Sequence, residues 1–255
     1  MMRVIKIGGR AQSDPSLARR VKEAWLAASG ELCLVHGGGD EVSALQRATG
    51  GEAVFVGGRR VTSAGDIELL RMVLSGVVNK RLVNAFIVAG VPAVGLSGED
   101  AGLISAEPID AMRLGLAGRP ATVNAELLRV VMRGGYVPVI SPVSYWGRDS
   151  GGALNVNGDD AAAAIAVALE ADELVLVADV DGVRGEDGET IGSLNVELAL
   201  ELVANGIAVG GMAAKLESAA SALASGVNRV KISGLTGIVD EGAGTFITQS
   251  VGVAT

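Results

Sequence analysis

One unit recurs along the chain and restricts its fold more than any other feature. An amphipathic or alanine-rich stretch ends in Gly or Asp and is followed by a short aliphatic run. It reads AASG before ELCLV, IVAG before VPAVGL, RGG before YVPVI, LEAD before ELVLVA and LASG before VNRVKI. Glycine after a helix supplies a left-handed C-cap, and unbroken Val/Leu/Ile runs mark strands buried on both faces. Strands that alternate with helices require crossover connections and hence a mostly parallel sheet. The pattern predicts strands near 3–7, 31–35, 92–96, 137–141, 173–178 and 229–232. Helices are expected near 15–28, 40–49, 64–88, 123–133, 159–170, 196–205 and 212–225. Two stretches, 53–62 and 100–122, break the alternation with Gly or Pro and are expected as hairpins or lids at the sheet edge.

Composition closes off other classes. At roughly 150 residues per domain, 255 residues make one large domain or two closely joined lobes. A chain that is 49% hydrophobic and 20% charged is too apolar to stay disordered. Its 29 acidic against 21 basic side chains leave a net charge of −8, which argues against nucleic acid as a partner, although glycine loops and a few lysines can still hold a small anion. The longest apolar run, Ala161–Leu169, falls far short of the roughly 18–20 residues of a membrane-spanning helix. The N-terminus, MMRVIKIGGR, lacks a signal-peptide core. A lone Cys33 and a lone His36 exclude an internal disulfide and soft-ligand zinc sites, and a reducing, cytoplasmic setting is expected.

In open parallel sheets ligands bind beyond the carboxyl ends of strands. The segments there are GGR (8–10), HGGG (36–39), LSGED (96–100), SPVS (141–144) and ADVDGVR (178–184). HGGG carries the strongest signal, because three glycines let backbone N–H groups approach a ligand and the helix that follows adds its dipole. It also suits a tight strand-to-helix turn. The dinucleotide fingerprint fails at Val42, and no Gly-Lys pair offers a phosphate-binding loop of the Walker type. Lys6 stands inside an apolar strand two residues before Gly8-Gly9, a costly position unless an anion or a carboxylate meets it. Lys215, after the Gly pair of GGMAAK, suits an anion site or a solvated helix face equally well. In NVNGDD, Asn157 reads best as a plain N-cap. Arg60 sits on a glycine-rich edge where its fork could grip a carboxylate, or it could simply be solvated. His36 reads as structural.

Together KIGG, HGGGDEV, GRRVT, MVLSGVVNKRLV, AVGLSGEDAGLI, NVNGDDAA, ADVDGV and GGMAAK occur in the order seen in the amino acid kinase family. The resemblance spans residues 3–248 and is strongest to the branch that phosphorylates N-acetyl-L-glutamate. It implies a three-layer αβα sandwich with a mostly parallel central sheet. It also implies a single domain over 1–255, with an acyl-amino-acid lobe at 1–165 and a nucleotide lobe at 166–255. The implied activity is ATP-dependent phosphorylation of the γ-carboxylate in arginine biosynthesis. Lys6 and Lys215 match the lysines that stabilise the transferring phosphoryl group, and Asp159 the aspartate that orients them. Gly9, Gly38 and Gly39 match backbone contacts to phosphate and substrate. Arg60 matches the α-carboxylate ligand and Asn155 the hydrogen-bonding partner of the acylated amino acid. The nucleotide would lie against Asp179, Val180, Asp181, Gly182, Val183 and Arg184, and against Ile207, Ala208, Val209 and Gly211. Mg²⁺ would be held mainly by the phosphates, with no dedicated metal-ligand cluster.

The chain departs from the family pattern at Gly57-Gly58, at Arg59 beside Arg60, and at Glu99-Asp100. These departures bear on acceptor choice, so the alternatives are a carrier-protein-linked aminoadipate or glutamate and, in another class, a non-catalytic amino acid and nucleotide sensor. Because the first strand begins at residue 3, the N-terminal helix of arginine-inhibited hexamers is not expected; a homodimer acting on a small molecule is.

Overall fold

The computed structural model describes residues 1–147, 152–185 and 188–249. Eleven strands form one sheet among these residues, in the order β11-β13-β12-β10-β1-β2-β8-β6-β7-β9, with β5 paired to β8. They are β1 (Arg3–Ile7), β2 (Leu32–His36), β5 (Ala93–Gly98), β6 (Ile104–Pro108), β7 (Ala117–Val123), β8 (Val137–Trp146), β9 (Gly152–Val156), β10 (Glu173–Val177), β11 (Ser193–Asn195), β12 (Arg229–Ser233) and β13 (Thr245–Thr248). A separate hairpin pairs β3 (Phe55–Val56) with β4 (Arg59–Arg60). Within the sheet, β6–β7, β8–β9 and β12–β13 are antiparallel and the other pairs parallel, as the alternating pattern requires.

Side-chain alternation builds the layers. Val4, Cys33, Val35, Ile140, Leu174 and Leu176 point to one face. They meet α6 (Ala125–Arg133), α7 (Gly158–Ala168), α8 (Val196–Ala204) and α9 (Gly210–Ala224). Ile5, Ile7, Leu32, Leu34, Val139 and Val175 point to the other, against α1 (Leu17–Ala27) and the long helix after the hairpin. The helix α2 (Gly39–Ala48) follows β2, and a single turn, α5 (Ala111–Leu114), links β6 to β7. The expected three-layer sandwich is present, and buried Ala161, Ala162 and Ala166 let α7 sit closely on the sheet.

Three differences from the sequence expectation matter. The strand expected at 137–141 continues to Trp146, with Ser141 and Ser144 buried inside it. Their hydroxyls are satisfied locally, Ser141 by Ser75 and Ser144 by the Pro142 carbonyl, so polar residues did not end the strand. The helix expected at 64–88 consists of α3 (Ala64–Leu70), a π-helical stretch (Arg71–Val78) and α4 (Asn79–Val88). Finally, β9, β11 and β13 are strands that the aliphatic pattern does not announce. The interval 165–172 covers the end of α7 and the turn into β10, and the sheet runs unbroken across it through the β1–β10 pair.

Candidate active site

The carboxyl ends of β1, β2 and β10 and the N-termini of α7 and α9 converge on three charges. Lys6 Nζ lies 3.0 Å from Asp159 Oδ1, and Lys215 Nζ lies 3.1 Å from Oδ2. All three are less than 9% exposed. Two ammonium groups and one carboxylate leave the buried cluster with a charge of +1, which a bound anion would neutralise. Burial opposes the charged form of Asp159, but the two lysines outweigh it and hold the carboxyl below its usual range. Burial lowers the Lys215 pKa, and neighbouring Lys6 pushes it the same way. Glycines make room for Lys6: a Cβ on Gly8 would stand 2.8 Å from its Nζ, and one on Gly158 3.1 Å from its Cε. Gly8 and Gly158 therefore serve as clearance for Lys6, and Gly9 does the same for Asp179, whose Oδ1 a Cβ would approach to 2.9 Å. The helix α9 starts on Gly210-Gly211 without a side-chain cap, leaving its first N–H groups available to an anion.

Two cavities meet at this cluster. The smaller, about 260 Å³, is bounded by the HGGG turn, the hairpin, Asn155 and the cluster itself. Arg60 enters it from β4. Its Nη1 donates to Gln46 Oε1 at 2.8 Å, and its Nη2 donates to the Gly39 carbonyl at 2.9 Å and to Ser43 Oγ at 2.7 Å. The Phe55 ring lies 4.8 Å below the guanidinium. Every one of these partners is neutral, so a buried guanidinium, its pKa lowered by burial, is fixed in place without a carboxylate of its own. Asn155 Nδ2 donates to Thr62 Oγ1 at 3.0 Å, and that hydroxyl donates to the Arg60 carbonyl at 2.9 Å. Gly38, at φ +149°, lets the turn pass the π-helical stretch, where a Cβ would come within 2.7 Å of Leu74 Cδ2.

The larger cavity, about 500 Å³, is lined by Asp179, Val180, Gly182, Val183 and Arg184 after β10, and by Ile207, Ala208, Val209 and Gly211 before and within α9. Asp181, expected there too, lies between the lining residues Val180 and Gly182; it is exposed, and its carboxylate lies against Gly234. Asp179 accepts from the backbone N–H of Arg10 and pairs with the Arg10 guanidinium across Gly9. Gly9, Gly211 and Lys215 belong to the walls of both cavities.

Asn157 is the plain N-cap that was expected, its Oδ1 accepting from Asp159 N at 2.8 Å. His36 is fully buried, with Nδ1 2.9 Å from the Gly37 carbonyl and Nε2 3.1 Å from Asn79 Nδ2. Those contacts fix a neutral ring with its proton on Nδ1, and burial pushes its pKa down to about 4. The departures at 99–100 sit outside both cavities: Glu99 pairs with Arg71, and Asp100 accepts from Ser97 N. Sequence reasoning did not single out Ser43 and Gln46. The signal was present, since Gly39, Ser43 and Gln46 recur at i, i+4 and i+7 on one face of α2. Asn79 falls within the MVLSGVVNKRLV stretch, but nothing in that stretch ties it to His36.

The profile of the amino acid kinase family matches residues 1–233. The chain belongs to that family, the class its sandwich and its lysine–aspartate–lysine cluster define. The acetylglutamate kinase of Geobacillus thermodenitrificans is 40% identical over 253 residues, covering 98% of this chain and 97% of that protein. The acetylglutamate kinase of Chloroflexus aurantiacus is 40% identical over 241 residues, 94% of each chain. Among solved structures, the smu.665 protein of Streptococcus mutans superposes with a TM-score of 0.87 at 30% identity, covering 98% of this chain and 99% of that one. The N-acetylglutamate synthase of Neisseria gonorrhoeae, complexed with coenzyme A and N-acetyl-glutamate, superposes with a TM-score of 0.82 at 26% identity. That match covers 98% of this chain and 60% of the synthase.

Proposed function

We propose that this kinase transfers the γ-phosphoryl group of ATP to the γ-carboxylate of N-acetyl-L-glutamate, giving N-acetyl-L-glutamyl 5-phosphate for arginine biosynthesis. The observation that carries the reading is the net-positive Lys6–Asp159–Lys215 cluster, whose Lys215 stands in the wall common to two cavities, one of which holds a buried arginine with no carboxylate partner among the described residues. Relatives of that name at 40% identity over nearly the whole chain support the acceptor.

The chemistry follows from the charges. A γ-carboxylate with an ordinary pKa of about 4.3 is ionised at neutral pH, so the acceptor needs no general base. What remains is alignment and charge compensation on the transferring oxygens. Arg60 receives the α-carboxylate and fixes the acceptor's far end, with Asn155 beside it for the acyl amide. Lys6 and Lys215 flank the γ-phosphoryl oxygens from opposite sides, and Asp159 holds both at a set spacing without competing for the phosphate. The Gly9, Gly38 and Gly211 backbone adds N–H donors where charge accumulates. Asp159 already holds two ammonium groups, so Mg²⁺ would be carried mainly by the phosphate oxygens and would supply charge neutralisation there. The adenosine end falls to the larger cavity, placing the acceptor lobe at 1–165 and the nucleotide lobe at 166–255. The family resemblance extends the reading to a cytoplasmic homodimer, and light scattering at two chain masses is the result it requires.

A hydroxylamine trap with ATP and Mg²⁺ reads carboxylate phosphorylation directly. Hydroxamate should form with N-acetyl-L-glutamate and not with free glutamate or α-aminoadipate. Signal appearing solely with a carrier-linked acceptor would overturn the choice of acceptor, and no signal with any carboxylate would overturn the kinase reading.

A further inference from the structure

Among the described residues the β3–β4 hairpin pairs with no other strand, so no sheet ladder sets its angle over the acceptor cavity. At its base the backbone of Thr62 bridges Leu114 and Leu116, and beyond that its attachment comes from side chains on both sides. Arg60 reaches back to α2, whereas its neighbour Arg59 reaches the other way, and its Nη1 lies 2.7 Å from Asp160 Oδ2 at the start of α7. The remaining oxygen of that carboxylate accepts the Ser218 hydroxyl of α9 at 2.8 Å. Asp160 directly follows Asp159, and Ser218 stands one turn beyond Lys215. The hairpin tip also approaches α9, since a Cβ on Gly58 would lie 4.0 Å from the Gly210 carbonyl. The Arg59 and Asp160 side chains are 31% and 20% exposed, so the pair is screened less than a fully solvated one.

We propose that Arg59, Asp160 and Ser218 are positioning residues that tie the acceptor-binding hairpin to the two helices carrying Asp159 and Lys215. The tie sets where Arg60 stands relative to the phosphoryl cluster, and thus the distance between the captured carboxylate and the transferring group. It rests on the proposed acceptor chemistry for its kinetic consequence, but not for its structural one. None of the three residues touches the reacting atoms in this arrangement. Removing the tie frees the hairpin and weakens capture of the acceptor, while the nucleotide cavity, which the hairpin does not line, is unaffected.

The test compares wild type with Arg59→Leu, Asp160→Asn, the double variant and Arg59→Lys. In the hydroxamate assay each single change to Leu or Asn should raise KM for N-acetyl-L-glutamate about fivefold, the upper end for a partly exposed ion pair. KM for ATP should stay constant, and Arg59→Lys should recover most of the loss. The double variant should be no worse than either single, because both remove one contact. A double variant near the product of the two singles, or an equal rise in KM for ATP, overturns the tie. Hydrogen exchange gives a readout independent of turnover: amides of residues 54–62 should exchange faster in both single variants than in wild type, and unchanged exchange also overturns it. If wild type makes no hydroxamate from N-acetyl-L-glutamate, the acceptor reading fails while the exchange result still decides the tie.

Discussion

Lowering the pH from 7 to 5 should destabilise the protein through one side chain. His36 is the chain's single histidine, and it is buried neutral between the Gly37 carbonyl and the Asn79 amide. Its pKa falls from the ordinary 6.5 to about 4, chiefly because burial disfavours the charged ring. A depressed histidine means that the unfolded chain binds more protons than the folded one between these two values. The stabilising difference is therefore fully present above pH 6.5 and is lost as the pH falls toward 4. Integrating the linkage over the two pKa values from pH 7 to 5 gives a loss of about 2 kcal/mol. Ordinary carboxylates titrate below this window, so the slope belongs to His36. Urea unfolding followed by circular dichroism at half-unit intervals measures it directly. The variant His36→Asn should be less stable at pH 7 and nearly flat down to pH 5. Constant stability of the wild type across the window, or an equal slope in the variant, would refute the reasoning. Because His36 precedes the glycines of the cavity proposed for the acceptor, the same titration should raise KM for N-acetyl-L-glutamate before the chain unfolds.

Removing Lys215 as Lys215→Ala should lower kcat by about a hundredfold or more while leaving ATP and acceptor binding by calorimetry close to wild type, since its charge acts on the transferring group. Arg60→Gln should raise KM for N-acetyl-L-glutamate by about thirtyfold, the worth of a charge-assisted contact, with KM for ATP unchanged in initial-rate assays. Asp159→Asn leaves two neighbouring buried ammonium groups without their carboxylate and should cost about 3 kcal/mol in urea unfolding at pH 7. Gly38→Ala forces a side chain into a positive-φ position against Leu74 and should cost about 1–3 kcal/mol in the same experiment.

Much of this architecture was legible in the sequence because burial on both faces writes itself as unbroken aliphatic runs. Strands β1, β2, β5, β8, β10 and β12 lie where those runs predicted; glycines before them mark helix ends, and glycines after them mark the ligand side of the sheet. Other elements left no such trace. Strand β9 is a short GALNV broken by Asn155, β11 is three residues long, and β13 is a TFIT in which threonines interrupt the aliphatic run. Lys6 was conspicuous because a charge in a buried strand demands a reason, and Asp159 supplies part of it. The Arg59–Asp160 contact was invisible, since 101 residues separate two side chains that look solvated when read alone. The contact of the Asp181 carboxylate with Gly234 was equally invisible, since 53 residues separate the two.

The wall common to the two cavities has a consequence for inhibition. Gly9, Gly211 and Lys215 face both compartments, so the two cavities abut across the same three residues. A single molecule joining a nucleotide to an acyl amino acid through a short anionic bridge would have only those residues to pass. It would lose translational freedom once rather than twice, and its affinity would exceed what either half predicts.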